Sequence, residues 1–203
     1  MAAPETSRIR GDLYDRLKAK RLGETALTDP SVAVADILPG LSGEAKASTP
    51  VLDGKATLVT GAEVSGLWHY SGAAIDKFTE DKVGGGKFGR GTYFGVGEIS
   101  GETVDALLSG GSIKHDAGFA GNVLALDRGQ VKDVLDDLRT LQGLPRPGFR
   151  SSMQTGPVTD LAEGVAFEGH GVDAVMIYMD PERQGAEVIV LPHATENIRI
   201  ISA

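Results

Sequence analysis

The chain contains no cysteine among its 203 residues. This absence excludes disulfide bonds, thiolate zinc sites and a cysteine nucleophile together. Long hydrophobic runs are also missing: no apolar stretch could cross a bilayer, and the polar start from Met1 to Thr6 lacks the apolar core of a signal peptide. We therefore expect no membrane association, and a protein that is cytoplasmic or delivered by a route that needs no signal peptide.

Positive charge is scarce, with 20 Lys and Arg against 28 Asp and Glu and a formal net charge of -8. Because phosphate binding depends on clustered Lys and Arg, this balance excludes a domain whose main task is to coat nucleic acid. We interpret one basic segment, at residues 7–22, as the solvated face of a helix, with docking to an anionic assembly partner as the alternative. Its cations are Arg8, Arg10, Arg16, Lys18, Lys20 and Arg21.

The residue pattern predicts an α+β protein with an N-terminal helical extension. Residues 1–54 would comprise the helix at 7–22 and a connecting segment rich in Pro, Gly, Ser and Ala, followed by one domain over residues 55–203. Because the links between the last three predicted strands are too short for a crossover helix, we expect antiparallel pairing there. The predicted strands are 56–60, 66–70, 91–96, 122–127, 173–179, 186–191 and 198–201, and the predicted helices are 72–79, 101–108, 130–141 and 158–168.

The segment "VGGGKFGRG" has Gly84, Gly86 and Gly89 at the spacing of a dinucleotide-binding fingerprint. That fingerprint needs a strand before it and a helix at its end, whereas in this chain a charged loop precedes it and the strand-like "TYFGV" follows. It is not a P-loop either, because Phe88 follows Lys87 where Ser or Thr is required. We therefore interpret the segment as a mobile glycine-rich loop that enters a strand.

The histidines do not predict a metal site, because His69, His115, His170 and His193 are far apart and form no short ligand pair. The sequence does not predict a hydrolase triad, since it lacks the G-x-S-x-G motif that carries the nucleophilic serine. What remains is a constellation on three predicted strands: "HYS" at residues 69–71, "GRGTYF" at residues 89–94, and Glu187 opening "EVIVL". Taken singly, these are explained as a core histidine, a core aromatic pair and a solvated carboxylate at a strand end.

In this order and combination the motifs resemble the ADP-ribosyltransferases, in the branch named for its His, Tyr and Glu, which includes diphtheria-type toxins and poly(ADP-ribose) polymerases. The ending "GVDAVMIY", "EVIVL" and "NIRII" resembles that of small bacterial and phage members. The resemblance covers roughly residues 55–203. It implies a split antiparallel sheet with flanking helices, NAD as substrate without a metal, and transfer of a single ADP-ribose to an acceptor or to water.

The same resemblance implies roles for individual residues. Glu187, Tyr93 and His69 would be catalytic: Glu187 would stabilise the developing charge, Tyr93 would stack on nicotinamide, and His69 would hold the adenosine ribose. Leu67 and Trp68 would then be core residues of the strand that turns His69 toward the dinucleotide. The expected NAD-binding residues are His69, Tyr70, Ser71, Arg90, Gly91, Thr92 and Tyr93, and the expected acceptor contacts are Arg183 and Gln184, with a protein acceptor favoured over nucleic acid.

The chain also departs from the family pattern. Tyr70 stands where the family usually has Gly, and "VGEISGETVD" stands where the toxin and polymerase members have a second stacking aromatic. A second function class therefore stays open: a non-catalytic protein that retains the fold and serves in binding or assembly, for example as a component of a phage particle docked through residues 7–22.

Overall fold

The computed structural model describes residues 41–42, 47–97, 111–144, 158–167, 169–179 and 183–202. They form an α+β protein dominated by strands, as the residue pattern predicted. The strands are β1 (Leu41–Ser42), β2 (Ala47–Val51), β3 (Ala56–Ser71), β4 (Gly84–Gly86), β5 (Gly89–Gly97), β6 (Ile113–Asp127), β7 (Ala166–Phe167), β8 (His170–Gly171), β9 (Ala174–Tyr178), β10 (Gly185–Val190) and β11 (Ile198–Ser202). The helices are α1 (Val131–Leu141) and α2 (Val158–Glu163), with short 3-10 helices at Glu80–Lys82, Arg128–Gln130 and Pro192–Asn197.

Strand β3 is one continuous strand, so the prediction of two strands at 56–60 and 66–70 was wrong. The intervening glycines indicated turns. Gly61 and Gly66 do adopt positive φ angles of 61° and 68°, but they lie where the β3–β6 register shifts, between Val59 and Ala62 and between Val64 and Leu67. At such bulges the ladder continues beyond an extra residue, so β3 bends without ending.

The main sheet contains a closed ring of paired strands. Its order runs β3-β5-β10-β9-β6, and β3 also pairs with β6, which closes the circuit. Strands β9 and β10 pair antiparallel as predicted, whereas β11 pairs with β6 and not with β10. Strands β1 and β2 pair with β3, so the segment predicted to connect the N-terminal helix to the domain also contributes strands to the sheet.

Alternating side chains on these strands enter two separate apolar clusters, because successive residues of a strand point to opposite faces. Val123 and Val188 belong to a cluster that contains no residue of α1 or α2, and we call it the inner cluster. Leu124 and Ile189 pack with the buried residues of both helices, in what we call the outer cluster. The ring is therefore packed on both faces.

The helix predictions had mixed outcomes. The helix expected at 130–141 is confirmed as α1, which turns Val134 and Leu138 toward the outer cluster. Helix α2 ends at Glu163, earlier than predicted, and Gln142 Nε2 donates to the carbonyl of Leu161 (2.8 Å) near its end. The helix expected at 72–79 was wrong: these residues form bends and irregular chain, although Ile75 and Phe78 have helical spacing.

The predicted helices at 7–22 and 101–108 lie outside the described residues. Within the described part of the chain, none of the helices is both long and apolar enough for a bilayer span.

Candidate functional site

The candidate site is a split between strands β3 and β5. A single ladder pair, Trp68 with Gly95, joins the two strands. On the His69 side of that pair, β3 stays with β6 while β5 stays with β10. The side chain of His69 bridges the opening, because its Nδ1 lies 2.8 Å from the carbonyl oxygen of Tyr93. The expected strands thus bring the histidine and tyrosine motifs together.

The ring of His69 is held from several sides. Its centroid lies 5.5 Å from that of Phe78, 5.6 Å from that of Phe94 and 6.4 Å from that of His115. Because a carbonyl oxygen only accepts hydrogen bonds, Nδ1 must donate to Tyr93, which leaves Nε2 as the acceptor of a neutral ring. A half-buried imidazole with one fixed tautomer can hold a ligand hydroxyl through Nε2.

His115 lies directly across from His69 on β6 and is fully buried. The hydroxyl of Ser71 donates to the carbonyl of Ala73, so it accepts from His115 Nε2 at 2.9 Å. Nδ1 of His115 has no hydrogen-bond partner among the described residues. A buried polar atom without a partner is unfavourable, so an additional hydrogen bond to Nδ1 would stabilise His115 in this position.

A cleft of about 560 Å³ opens beside the split. Its walls combine apolar side chains, the charged residues Asp76, Lys77 and Lys82, and the backbone of the glycine-rich segment. The lining residues are His69, Ala74, Ile75, Asp76, Lys77, Phe78, Thr79, Lys82, Gly84, Gly85, Gly91, Thr92 and Tyr93.

The glycine-rich segment is a hairpin that continues into β5, so its interpretation as a loop was wrong, whereas the strand expected after it is present. Strands β4 and β5 pair across a two-residue turn, Lys87 and Phe88. The side chain of Phe88 is buried in the outer cluster, and its carbonyl accepts from the backbone N–H of Thr159 (3.0 Å). The backbone N–H of Arg90 donates to Asp160 Oδ1 (3.1 Å). Helix α2 therefore holds the hairpin in place.

Tyr93 lies under this hairpin, with its ring half-buried against the outer cluster. Its hydroxyl donates to the carbonyl of Gly89 (2.7 Å) and accepts from the backbone N–H of Phe88 (3.1 Å). Burial is the main cause that raises the pKa of Tyr93, and the nearby carboxylate of Glu187 adds to it. The Tyr93 hydroxyl thus holds the hairpin through two hydrogen bonds, and the Tyr93 ring is the part of the side chain that could contact a ligand in the cleft.

Glu187 lies on β10, opposite Gly95 of β5. Because residues opposite each other in a ladder share a face, its side chain lies on the outer face, as does that of Tyr93, which is opposite Ile189. His69 faces the inner side of the ring and Glu187 is not among the cleft-lining residues. The two expected catalytic groups therefore lie on opposite faces of the sheet, with the split between them.

The carboxyl of Glu187 is half-buried. Burial raises the pKa of Glu187 above its usual value, and the charges of Lys87 and Arg128 partly oppose this effect. A poorly solvated carboxylate interacts strongly with a positive charge that develops beside it.

Trp68 also lies on the outer face but is only partly buried and belongs to neither cluster, so its assignment to the buried core was wrong, whereas Leu67 is fully buried as expected. The indole ring covers Gly95, where any Cβ would overlap it, and its Nε1 donates to the carbonyl of Gly97 (3.3 Å). The ring of Tyr70 meets it edge-on at 5.9 Å. An aromatic wall therefore stands beside Glu187.

The remaining predicted residues fall in different places. Gly91 and Thr92 line the cleft, whereas the Arg90 side chain is exposed outside its lining. Arg183, expected to contact an acceptor, forms a bidentate ion pair with Asp127 at 2.9 Å. Gln184 follows it on the surface.

Three comparisons with known proteins found no similar protein. No family model matches the chain. No curated protein matches it, and neither does any solved structure. Within the described ranges, no group of three or more His, Cys, Asp or Glu side chains could hold a metal ion.

Sequence reasoning overlooked two site residues, His115 and Asp127. His115 lies 46 positions after His69 and Asp127 lies 56 positions before Arg183, so neither pair has a local motif. The only available signal for His115 was a histidine within an alternating strand pattern on β6.

Proposed function

We propose that the protein is a mono-ADP-ribosyltransferase that cleaves NAD at the bond between nicotinamide and ribose. The supporting observation is the His69 side chain that spans the split to the carbonyl of Tyr93, with the half-buried Glu187 on the same face as the Tyr93 ring. The ADP-ribosyltransferase-like character of the fold is part of this proposal. In it, the dinucleotide crosses the split between β3 and β5.

The chemistry needs one carboxylate. Nicotinamide leaves NAD as a neutral molecule, so the step needs no general acid, unlike ordinary glycoside cleavage with its two carboxyl groups. Glu187 accepts a hydrogen bond from the nicotinamide ribose and stabilises the positive charge that develops on the sugar. This interaction is stronger in the transition state than in the ground state, and that difference accelerates the reaction.

The other residues bind and orient. His69 Nε2 accepts from a hydroxyl of the adenosine ribose, since Nδ1 already donates to Tyr93. The half-buried Tyr93 ring stacks on nicotinamide, with its hydroxyl held by the hairpin. Lys77 and Lys82, which line the cleft, attract the diphosphate. ADP-ribose then passes to an acceptor, with protein favoured, or to water.

A second function is favoured by one observation, the position of Trp68. Its indole covers Gly95 directly opposite Glu187 and narrows the space beside the carboxyl. A protein that retains the fold but uses this aromatic face for binding or assembly, without NAD turnover, is the alternative.

The deciding experiment follows nicotinamide release from NAD over hours by the purified full chain. We expect release by the wild type and a loss of at least about 100-fold in Glu187→Gln, which keeps the shape of the side chain and removes its charge. His69→Ala should weaken NAD binding in calorimetry.

The matched control is Glu196→Gln, at an exposed position on the Pro192–Asn197 helix, which should leave release unchanged. Absence of both NAD binding and release in the folded wild type would reject the enzyme and favour the binding protein.

A further inference from the structure

Three strand ends meet next to Glu187. Asp127, the last residue of β6, pairs in parallel register with Tyr178, the last residue of β9. Tyr178 in turn pairs with Ala186, the residue before Glu187. A contact that holds these strand ends together therefore also fixes the start of β10, the strand that carries Glu187.

Arg183 connects these ends. Its Nε and Nη2 each donate to a different oxygen of Asp127, both at 2.9 Å. Its guanidinium carbon lies 4.9 Å from the ring centre of the fully buried Tyr178. The bond to Asp127 is the main cause that raises the pKa of Arg183. A bidentate, stacked arginine holds its partners in one geometry, which a lysine cannot reproduce.

The backbone around Arg183 is also constrained. Its φ angle is +56°, in the left-handed region that residues other than glycine rarely adopt. Such a conformation persists where neighbouring contacts hold it. Beside it, the N–H of Met179 donates to the carbonyl of Gly185 (3.1 Å). Together these contacts define the direction in which the chain enters β10.

We propose that Arg183 and Asp127 form a clasp that positions Glu187, so that Arg183 is a positioning residue and not an acceptor contact. The clasp keeps the first residues of β10 packed on β9 and thereby keeps the Glu187 carboxyl partly shielded from water. An effect of the clasp on catalysis rests on the proposed NAD chemistry. Its effect on the solvent exposure of the Glu187 carboxyl does not depend on that chemistry.

The charged and titratable groups that act on Glu187 come from neighbouring elements. Lys87 lies in the turn between β4 and β5, Tyr93 on β5, and Arg128 directly after Asp127. Arg128 lowers the pKa of Glu187 whereas burial raises it, so a fall in that pKa after loss of the clasp reports entry of water and not displacement of Arg128. A change at Arg183 should therefore be detectable at the Glu187 carboxyl.

The test is a ¹³C NMR titration of the Glu187 carboxyl in the full chain, with Glu187→Gln used to assign the signal. The principal variant is Arg183→Lys, which keeps the charge and removes the bidentate bond and the stacking. We expect its titration midpoint to fall toward that of an exposed glutamate, with Asp127→Asn as a second disrupting variant. The control is Asp136→Asn, which weakens the i,i+4 pair with the exposed Lys132 (3.5 Å) on α1 and should leave the midpoint unchanged.

An unchanged Glu187 midpoint in folded Arg183→Lys would overturn the clasp. If NAD cleavage is established, Arg183→Lys should also lower kcat at least about 10-fold with KM nearly constant, because positioning acts on the transition state. The titration needs no NAD, so a failure of the clasp and a failure of the proposed function give different results.

Discussion

At the scale of single residues, the Glu187 carboxyl has opposite effects on stability and on the proposed activity. Burial raises the pKa of Glu187, so the folded state binds its proton more tightly than the unfolded state does. Stability must then fall as pH rises from the unfolded-state pKa through the folded-state pKa, because deprotonation is harder in the folded protein. The carboxylate that the chemistry requires is thus the form that the fold tolerates less well.

Glu187→Gln should therefore raise the melting temperature at about pH 8, and the gain should disappear below the ordinary glutamate pKa of about 4.3. Nicotinamide release by the wild type should show the reverse trend and increase with pH through the raised pKa of Glu187. Thermal melts and release rates measured from about pH 4 to about pH 8 follow both trends. An equal gain in melting temperature at both ends of this range would contradict burial as the cause.

Tyr93→Phe separates the hydroxyl from the ring. The change removes the bonds to Gly89 and Phe88 and leaves a backbone N–H without its acceptor. We expect the free energy of unfolding to fall by about 1–2 kcal/mol, measured by urea denaturation. NAD cleavage should stay within about 10-fold of wild type, since the stacking ring remains. Tyr70→Phe is the control, because the contact of Tyr70 with Trp68 is ring to ring.

At the scale of elements, the β4–β5 hairpin connects the helical layer to the candidate site. Its glycines Gly84 and Gly85 line the cleft, and its turn inserts Phe88 into the outer cluster next to α2. The hairpin in turn holds the hydroxyl of Tyr93. A substitution in the outer cluster can therefore alter the site without touching it.

Phe88→Ala should lower the free energy of unfolding by about 3–5 kcal/mol, because the ring is 1% exposed and its removal leaves a cavity. Denaturant melts measure the loss, and the milder Phe88→Leu should retain most of the stability. Ile201→Ala is the control: this side chain is 67% exposed and should change stability by less than about 0.5 kcal/mol. A small effect of Phe88→Ala would mean that the hairpin is held by its backbone bonds alone.

At the scale of the whole molecule, the split exists because β3 takes part in two pairings. Its long ladder with β6 runs from Ala56 to Ser71, whereas its ladder with β5 consists of the single pair Trp68 and Gly95. The ring of strands is thus closed by many ladder pairs between β3 and β6 and by one ladder pair between β3 and β5. His69 links β3 and β5 across this seam, and its ring lies against Phe78 and Phe94 of the inner cluster.

Much of the local structure followed from the sequence. Short apolar or alternating runs identified β5, β9, β10 and β11 to within a few residues, because a strand buried on both faces is apolar at successive positions and one buried on a single face alternates. The short link between β9 and β10 allowed only an antiparallel hairpin. The spacing of Val131, Val134, Leu135 and Leu138 likewise predicted α1.

Only the tertiary structure decided the rest. Gly61 and Gly66 could have formed turns, and their use as bulges depends on the β6 ladder across from them. Residues 72–79 have helical spacing, yet Phe78 packs on His69 and Phe94, which local propensity cannot anticipate. The sequence predicted Arg183 in an exposed loop, whereas in the structure its side chain forms an ion pair with Asp127 at the end of β6. Periodicity is a local property of the sequence. The residues that pair with a bulge, pack against an irregular segment or form an ion pair with a charged side chain are distant in sequence, so only the tertiary structure identifies them.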